Sequence, residues 1–197
     1  MPGTRSRGGP MDVTKMLESD HRQVEDLFAS IEAAEGEERQ PFIDELAASL
    51  RAHMDLEELV VYPMMKPVTR AEAVEEATTE HELARKALDD ILRLAPDEPG
   101  FGAALDAAKA GIGHHVKEEE GDIFPKLRSE AAAVLAEMAS PFMKKRVELG
   151  MPMDANALAA ASTKEELLSE AKTAGVDGAA SMTKTELADA LASKMAS

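Results

Sequence analysis

Apolar residues recur at helical spacing along four long stretches of the chain, with polar residues at the intervening positions. These stretches predict helices over about 12–34, 39–65, 69–94 and 100–124, separated by Gly and Pro residues. Pro63 is expected to kink or end the second helix near its last turn. A fifth helix is predicted over about 130–149, and Pro141 is expected to divide it. Abundant Ala, Leu and Glu with few β-branched runs also favour an all-α fold.

The first two predicted helices recur as the third and fourth. An offset of sixty residues aligns the first helix with the third and matches His21 with His81. An offset of sixty-two aligns the second helix with the fourth and matches His53 with His115. A repeated helical hairpin with short connections predicts an antiparallel four-helix bundle.

Histidine and glutamate residues interrupt the apolar faces of all four helices. His53 is followed four residues later by Glu57, and His115 is followed four residues later by Glu119. Residues four apart share one face of a helix, so each motif directs an imidazole and a carboxylate to the same point. A histidine in the apolar stripe of the preceding helix faces each motif. The candidate metal ligands are His21, His53, Glu57, His81, His115 and Glu119.

Burying these six groups without partners would cost roughly a few kcal/mol for each polar group and more for each charge. Two metal ions would remove that cost, because neutral imidazoles can ligate while carboxylates bridge the ions and balance their charge. Mixed imidazole and carboxylate donors suit iron, with manganese and zinc as weaker alternatives. Six ligands do not saturate two octahedral ions, so about one position on each ion is left open for a small molecule.

Neighbouring polar residues have simpler interpretations. His114 points about 100° away from His115 around the helix, so we expect it to be solvated or to pack against another helix. Glu58 and Glu120 are interpreted as surface groups, or as acceptors for the outer N–H of a ligating histidine. Glu80 competes for that second role.

Composition narrows the classes of function. A net charge of −16 repels nucleic acid and anionic membranes. The absence of cysteine excludes thiol catalysis, disulfides, iron–sulfur clusters and Cys-type zinc sites. No apolar stretch approaches the length of a membrane span. Residues 1–11, which contain Gly and Pro but no apolar core, are predicted to be a disordered leader rather than a signal peptide, and a cytoplasmic location is expected.

The order His21, His53-x-x-x-Glu57, His81, His115-x-x-x-Glu119 resembles the hemerythrin-like (HHE cation-binding) family over about residues 12–150. The pairs Tyr62-Pro63 and Phe124-Pro125, which end ten residues after His53 and His115, match as well. The resemblance implies a four-helix bundle with an oxo- or hydroxo-bridged non-haem di-iron centre. It implies that His21 and His53 share one iron, His81 and His115 share the other, and Glu57 and Glu119 bridge them.

One position departs from the oxygen-carrying hemerythrins, because Arg85 stands where they have a fifth histidine. The chain therefore resembles the four-histidine branch, which is associated with oxygen, peroxide or nitric-oxide chemistry and stress responses rather than oxygen storage. Tyr62 and Phe124 are interpreted as core aromatics that keep the site dry, with a radical or proton-donor role for Tyr62 as the alternative.

The end of the chain has a different pattern. Residues 151–155 are predicted to be a linker to a small helical module over 156–197. Thr163 and Thr183 each begin a Thr-x-x-Glu capping box, which predicts two short helices joined by a Gly-containing turn. The module resembles the N-terminal module of the Rho termination factor, which is similar to SAP motifs and implies contact with nucleic acid. Four Lys, no Arg, six acidic residues and no aromatic from residue 155 onward instead favour packing or protein docking.

These features predict a di-iron protein that binds O2, peroxide or NO in a stress response, with peroxide turnover as a further activity. The alternatives are a redox or gas sensor that signals through the C-terminal module, a protein for iron storage or delivery, and a purely structural bundle. The oligomeric state is left open.

Overall fold

The bundle is built from two matching helical hairpins in a computed structural model that describes residues 11–195. Helix α1 (Val13–Ala33) is followed by α2 (Gln40–Leu56), which continues through a π-helical turn (Glu57–Val61) into α3 (Tyr62–Met65). The second hairpin repeats this order with α4 (Ala71–Leu92), α5 (Phe101–Glu118), a π-helical turn (Glu119–Ile123) and α6 (Phe124–Glu130). Short connections make α1 antiparallel to α2 and α4 antiparallel to α5. The predicted all-α bundle is confirmed, and residues 11–195 contain no strand.

Pro63 and Pro125 do not end their helices, and each lies just after a π-helical turn. The Tyr62 N–H bonds to the carbonyl of Glu57, five residues back, and the Phe124 N–H bonds likewise to Glu119. Proline lacks an N–H, and its ring clashes with the carbonyl four residues back. The wider turn accommodates the proline ring in each hairpin. Each turn begins at a glutamate of the predicted site, Glu57 or Glu119. Such bulges are frequent at functional sites.

The apolar core is divided into two clusters along the bundle axis. One cluster contains residues such as Phe28, Leu46 and Phe101 near the loops that connect each hairpin. The other contains residues such as Leu17 and Phe124 at the opposite end. The histidines and glutamates of the predicted site lie in sequence between the members of these clusters, so a polar layer is sandwiched between two apolar ones.

The chain continues into α7 (Ala132–Glu148), which is unbroken at Pro141, contrary to the prediction. Three short helices follow, namely α8 (Ala155–Ala161), α9 (Lys164–Thr173) and α10 (Lys184–Met195). The predicted capping boxes are present at both threonines, with Thr163 N–H bonded to Glu166 at 2.6 Å and Thr183 N–H bonded to Glu186 at 2.7 Å. Helix α8 was not predicted, and it occupies part of the expected linker.

The C-terminal segment, defined here as residues 149–195, packs against the bundle. Leu158, Leu167 and Leu187 are fully buried in the same cluster as Leu17. Each such burial contributes about 1.5–3 kcal/mol. The predicted leader over residues 1–11 lies outside the described residues except for Met11, which is buried in this cluster. No helix within residues 11–195 combines the length and the apolarity that a bilayer span requires.

Candidate metal centre

The polar layer between the two apolar clusters brings all the predicted ligands together. Helices α1 and α4 each supply one histidine, and α2 and α5 each supply a histidine followed by a glutamate at the start of the π-helical turn. All six side chains are buried, namely His21, His53, Glu57, His81, His115 and Glu119.

The four imidazoles form two pairs whose Nε2 atoms face each other. Nε2 of His21 lies 3.2 Å from Nε2 of His53, and Nε2 of His81 lies 3.0 Å from Nε2 of His115. Two ligands bound at right angles to one metal, with bonds of about 2.1 Å as in zinc sites, are about 3.0 Å apart. Each pair therefore has the spacing that a single metal ion needs, and the pairs are those that the family resemblance implies.

Each of the two carboxylates lies between the histidine pairs. Oε2 of Glu57 lies 3.3 Å from Nε2 of His53 and 3.3 Å from Nε2 of His81. Glu119 repeats the arrangement, with Oε2 3.3 Å from one histidine of the first pair and 3.6 Å from one of the second. Both carboxylates are placed to bridge two ions.

Three of the four oxygens of these carboxylates have no hydrogen-bond partner within residues 11–195. Both oxygens of Glu57 and Oε2 of Glu119 are buried without a hydrogen-bond partner among the described residues. An unsatisfied buried polar group costs about 1–3 kcal/mol, and more when it is charged. Two cations held by the imidazoles would satisfy all three atoms, and the mixed nitrogen and oxygen donor set suits first-row metals such as iron.

Two imidazoles of the site have raised pKa values. Burial lowers the pKa of His53, but the charges of Glu57 and Asp20 outweigh this effect and hold the pKa well above its ordinary value. Burial also lowers the pKa of His81, and Glu57 again outweighs it and raises the pKa. Metal and protons therefore compete for the same imidazoles.

Every outer ring nitrogen of the four histidines faces a carboxylate. Three of these nitrogens are hydrogen bonded, namely His21 to Glu120 at 2.8 Å, His81 to Glu58 at 2.9 Å and His115 to Glu80 at 2.8 Å. Nδ1 of His53 makes no hydrogen bond among the described residues and lies 3.5 Å from Asp20. A carboxylate at Nδ1 favours the tautomer that carries its proton there and turns the free Nε2 inward, as in many metal sites. Glu58, Glu80 and Glu120 are therefore placed to accept the outer N–H of a histidine, which was one of the two roles considered for them.

Asp20 was missed by the sequence analysis, although the repeat contains its signal. It precedes His21 as Glu80 precedes His81, at the same offset of sixty residues. In both hairpins this acidic residue faces the histidine of the next helix, so aligning the two halves would have identified Asp20.

Cationic side chains form a further layer behind these carboxylates. Arg146 binds Asp20 at 2.6 Å, Arg85 binds Glu58 at 2.7 Å, Arg22 binds Glu120 at 2.6 Å, and His114 lies 3.6 Å from Glu80. Arg85, at the place of the fifth histidine of oxygen carriers, thus holds an outer carboxylate. His114 has a side chain that is 64% exposed, in line with its predicted solvated role.

Tyr62 and Phe124 occupy equivalent positions in the two hairpins. Tyr62 stacks on His81 with ring centroids 5.3 Å apart, and Phe124 stacks on His21 at 6.0 Å. The hydroxyl of Tyr62 lies 3.0 Å from Nε2 of His81 and donates to Oε1 of Glu119 at 3.4 Å. Burial and the neighbouring carboxylates raise the pKa of Tyr62, so the phenol stays protonated. It therefore adds a hydrogen-bond donor to one half of the site alone.

Three cavities border the site. A compartment of about 20 Å³ is lined by all four imidazoles and by apolar side chains such as Leu50 and Ile112. A cavity of about 220 Å³ between α4 and α5 reaches His115 and Glu119. A third, of about 110 Å³, lies beside His53 and is bordered by residues 149–152. A cavity between α4 and α5 thus borders His115, whereas the cavity beside His53 is covered by residues 149–152.

A bundle that turns four imidazoles and two carboxylates toward one buried layer defines a helical cation-binding protein. The model of the hemerythrin HHE cation binding domain matches residues 12–127, more than half of the chain. The chain belongs to this family.

The crystal structure of a hemerythrin HHE cation binding domain-containing protein from Mycobacterium kansasii is similar to this chain. The match has a TM-score of 0.57 and 24% sequence identity, and it covers 91% of this chain and 99% of that one. At that identity the likeness shows the fold. It extends into the C-terminal segment, whereas the predicted resemblance of that segment to the Rho module stays a prediction.

A DNA nickase from Nostoc sp. is 23% identical over 124 residues. The match covers 62% of this chain and 35% of the nickase, so the chain aligns with about a third of that protein's length.

Proposed function

We propose that this chain is a non-haem di-iron protein that binds a small oxygen- or nitrogen-containing molecule, namely O2, peroxide or NO. The observation that supports this most is the pairing of four Nε2 atoms, at 3.0 and 3.2 Å, around two buried carboxylates, three of whose four oxygens lack a hydrogen-bond partner among the described residues. The six ligands are the predicted ones. When bound, the iron pair would supply redox chemistry and open coordination positions.

The protein's contribution begins with orientation. The outer carboxylates hold the histidine protons at Nδ1, so that the Nε2 lone pairs point inward. The carboxylates of Glu57 and Glu119 each lie near both histidine pairs and would hold an ion at each pair. The two negative charges offset part of the charge of the ions in a buried layer.

The compartment of about 20 Å³ favours a very small ligand. Its volume is about that of one water-sized molecule. Its polar lining consists of the four imidazoles, and the rest is apolar, such as Met54 and Val116. We infer that it admits a diatomic molecule or peroxide and excludes larger organic substrates.

The route to the site favours uncharged molecules over anions. The cavity that reaches His115 and Glu119 is lined by acidic residues such as Glu76, Glu118 and Asp122, with Arg70 as the one cationic side chain in its lining. O2, NO and hydrogen peroxide are uncharged, so an acidic approach does not repel them. Beside Glu119, the hydroxyl of Tyr62 can donate a hydrogen bond to a bound molecule.

The test is anaerobic loading with ferrous iron followed by rapid mixing with O2, NO and hydrogen peroxide in separate experiments. The proposal predicts two iron ions per chain and a saturable absorption change with at least one of the three molecules. Oxygen release on addition of peroxide would establish turnover. Loaded protein that responds to none of the three would contradict the proposal, and many more than two ions per chain would favour iron storage.

A further inference from the structure

Arg146 is a buried arginine on α7 that contacts the polar layer from outside the four-helix bundle. Its side chain is 3% exposed, and it lies beyond the residues 12–127 that match the family model. Nη1 and Nη2 donate to the two carboxylate oxygens of Asp20, each at 2.6 Å. This bidentate geometry is the strongest form of a side-chain ion pair.

The same guanidinium holds the start of the C-terminal segment. Nη2 and Nε of Arg146 donate to the carbonyl of Pro152 at 3.0 and 3.3 Å. Residues 149–152 also border the cavity of about 110 Å³ beside His53. The position of this segment and the position of the guanidinium are therefore linked directly.

Asp20 carries this link to the site. Oδ2, which accepts from Arg146, also lies 3.5 Å from Nδ1 of His53. Nδ1 of His53 makes no hydrogen bond among the described residues, and Asp20 is the carboxylate paired with it, at a distance longer than a hydrogen bond. The two bonds from Arg146 hold this buried carboxylate in one orientation.

The basic residue behind Asp20 differs in its burial from the basic residues behind the other three outer carboxylates. The basic residues behind the other outer carboxylates have side chains that are 52% exposed for Arg22, 31% for Arg85 and 64% for His114. Water can replace part of what those side chains do. Water cannot readily replace a buried guanidinium, and losing one partner of a buried pair is costly.

We propose that Arg146 is a positioning residue of the metal centre, which acts through Asp20 on His53 and makes metal retention at the His21–His53 pair depend on docking of the C-terminal segment. The proposal rests on the metal centre proposed above. Because coupling is reciprocal, metal binding at that pair also strengthens docking of the segment.

The test measures iron release from the full chain after anaerobic loading with ferrous iron, using a ferrous chelator in excess. Arg146→Met keeps the buried length of the side chain and removes its hydrogen bonds. Loss of such an outer partner typically weakens metal binding about 10- to 100-fold. We expect one of the two ions to leave about that much faster while the other keeps its wild-type rate. The variant His115→Ala, which impairs the other pair, identifies the phase that belongs to His21 and His53.

Two further variants separate positioning from a structural role. Asp20→Asn should accelerate the same phase. Because both changes break one path, the double variant Asp20→Asn with Arg146→Met should release iron no faster than the faster of the two single variants. Arg146→Lys, which restores the charge but not the bidentate bond, should recover part of the wild-type rate. Arg85→Met is the matched control, since it makes the same change behind His81 and should affect the other phase.

Equal acceleration of both phases by Arg146→Met, or fully additive effects of the Asp20 and Arg146 changes, would overturn the proposal. If Arg146→Met does not fold, the comparison of Arg146→Lys with Asp20→Asn decides in the same way. A readout without metal is the tautomer of His53 by ¹⁵N NMR at a pH high enough for the ring to be neutral, where a smaller Nδ1–H fraction in Arg146→Lys than in the wild type supports positioning and an unchanged ring contradicts it. Wild-type protein that binds no iron would instead refute the proposed metal centre.

Discussion

The adjacent histidines His114 and His115 provide a sharp test of which side chains bind metal. Nε2 of His115 lies 3.0 Å from Nε2 of His81 in the buried layer, whereas His114 is 64% exposed and lies 3.3 Å from Glu118 on the surface. Replacing either residue by alanine removes the same imidazole from the same helix. The two variants therefore differ only in where that imidazole points.

The expected magnitude follows from linkage. A free metal concentration about 1,000 times the Kd stabilises the folded state by about 4.1 kcal/mol per ion. For a chain of this size, 1 kcal/mol shifts Tm by about 2–4 °C, so each ion contributes about 8–16 °C. His115→Ala should lose about one ion and that part of the shift. His114→Ala removes an exposed ion pair worth less than about 1 kcal/mol and should keep both ions.

The assay is calorimetry of each variant with and without ferrous iron under anaerobic conditions, together with metal analysis. A metal-dependent shift that His114→Ala abolishes and His115→Ala retains would refute the assignment of ligands. Equal loss in both variants would also contradict it, because it would mean that general damage to α5 rather than a specific ligand was being measured.

Three further predictions follow from the site. Glu57→Ala should reduce the metal content by more than one ion per chain, because its carboxylate contacts both histidine pairs; metal analysis that finds the loss of a single ion would argue against bridging. Tyr62→Phe should keep both ions but weaken NO binding about fivefold, since a typical hydrogen bond contributes about 1 kcal/mol; an unchanged NO titration would exclude the hydroxyl as a donor. The raised pKa values of His53 and His81 mean that protonation stabilises the metal-free fold below the ordinary value of 6.5, and that this stabilisation is lost as the pH rises through the raised pKa. Iron affinity should therefore fall as the pH drops through that range, by about tenfold per pH unit for each proton displaced, and a titration that shows pH-independent affinity would contradict this.

The buried polar residues of the candidate site were predictable because their signal is periodic. A buried histidine or glutamate must lie on the apolar face of its helix, so its position follows from helical spacing, and the repeat of sixty and sixty-two residues supplied the pairing of the hairpins. The capping boxes at Thr163 and Thr183 were predictable for a similar reason, since each depends on residues three positions apart.

Other features depend on contacts between distant parts of the chain. Arg146 and Asp20 are separated by 126 residues, and nothing in the local pattern around either residue indicates the partner. The unbroken α7 at Pro141 shows a local rule overridden by packing, because neighbouring residues such as Met138 and Phe142 are fully buried. The π-helical turns were missed because a spacing of four residues fits an α-helix up to the point where the proline forces a wider turn.

The most direct test of the account is the metal content of protein purified under anaerobic conditions, measured for the native chain and for Glu119→Ala. The account predicts two iron ions per native chain, with optical absorption typical of an iron pair after oxidation, and fewer than two ions with loss of that absorption in the variant. A native chain that holds no metal, or a variant that holds the same two ions with the same spectrum, would contradict it.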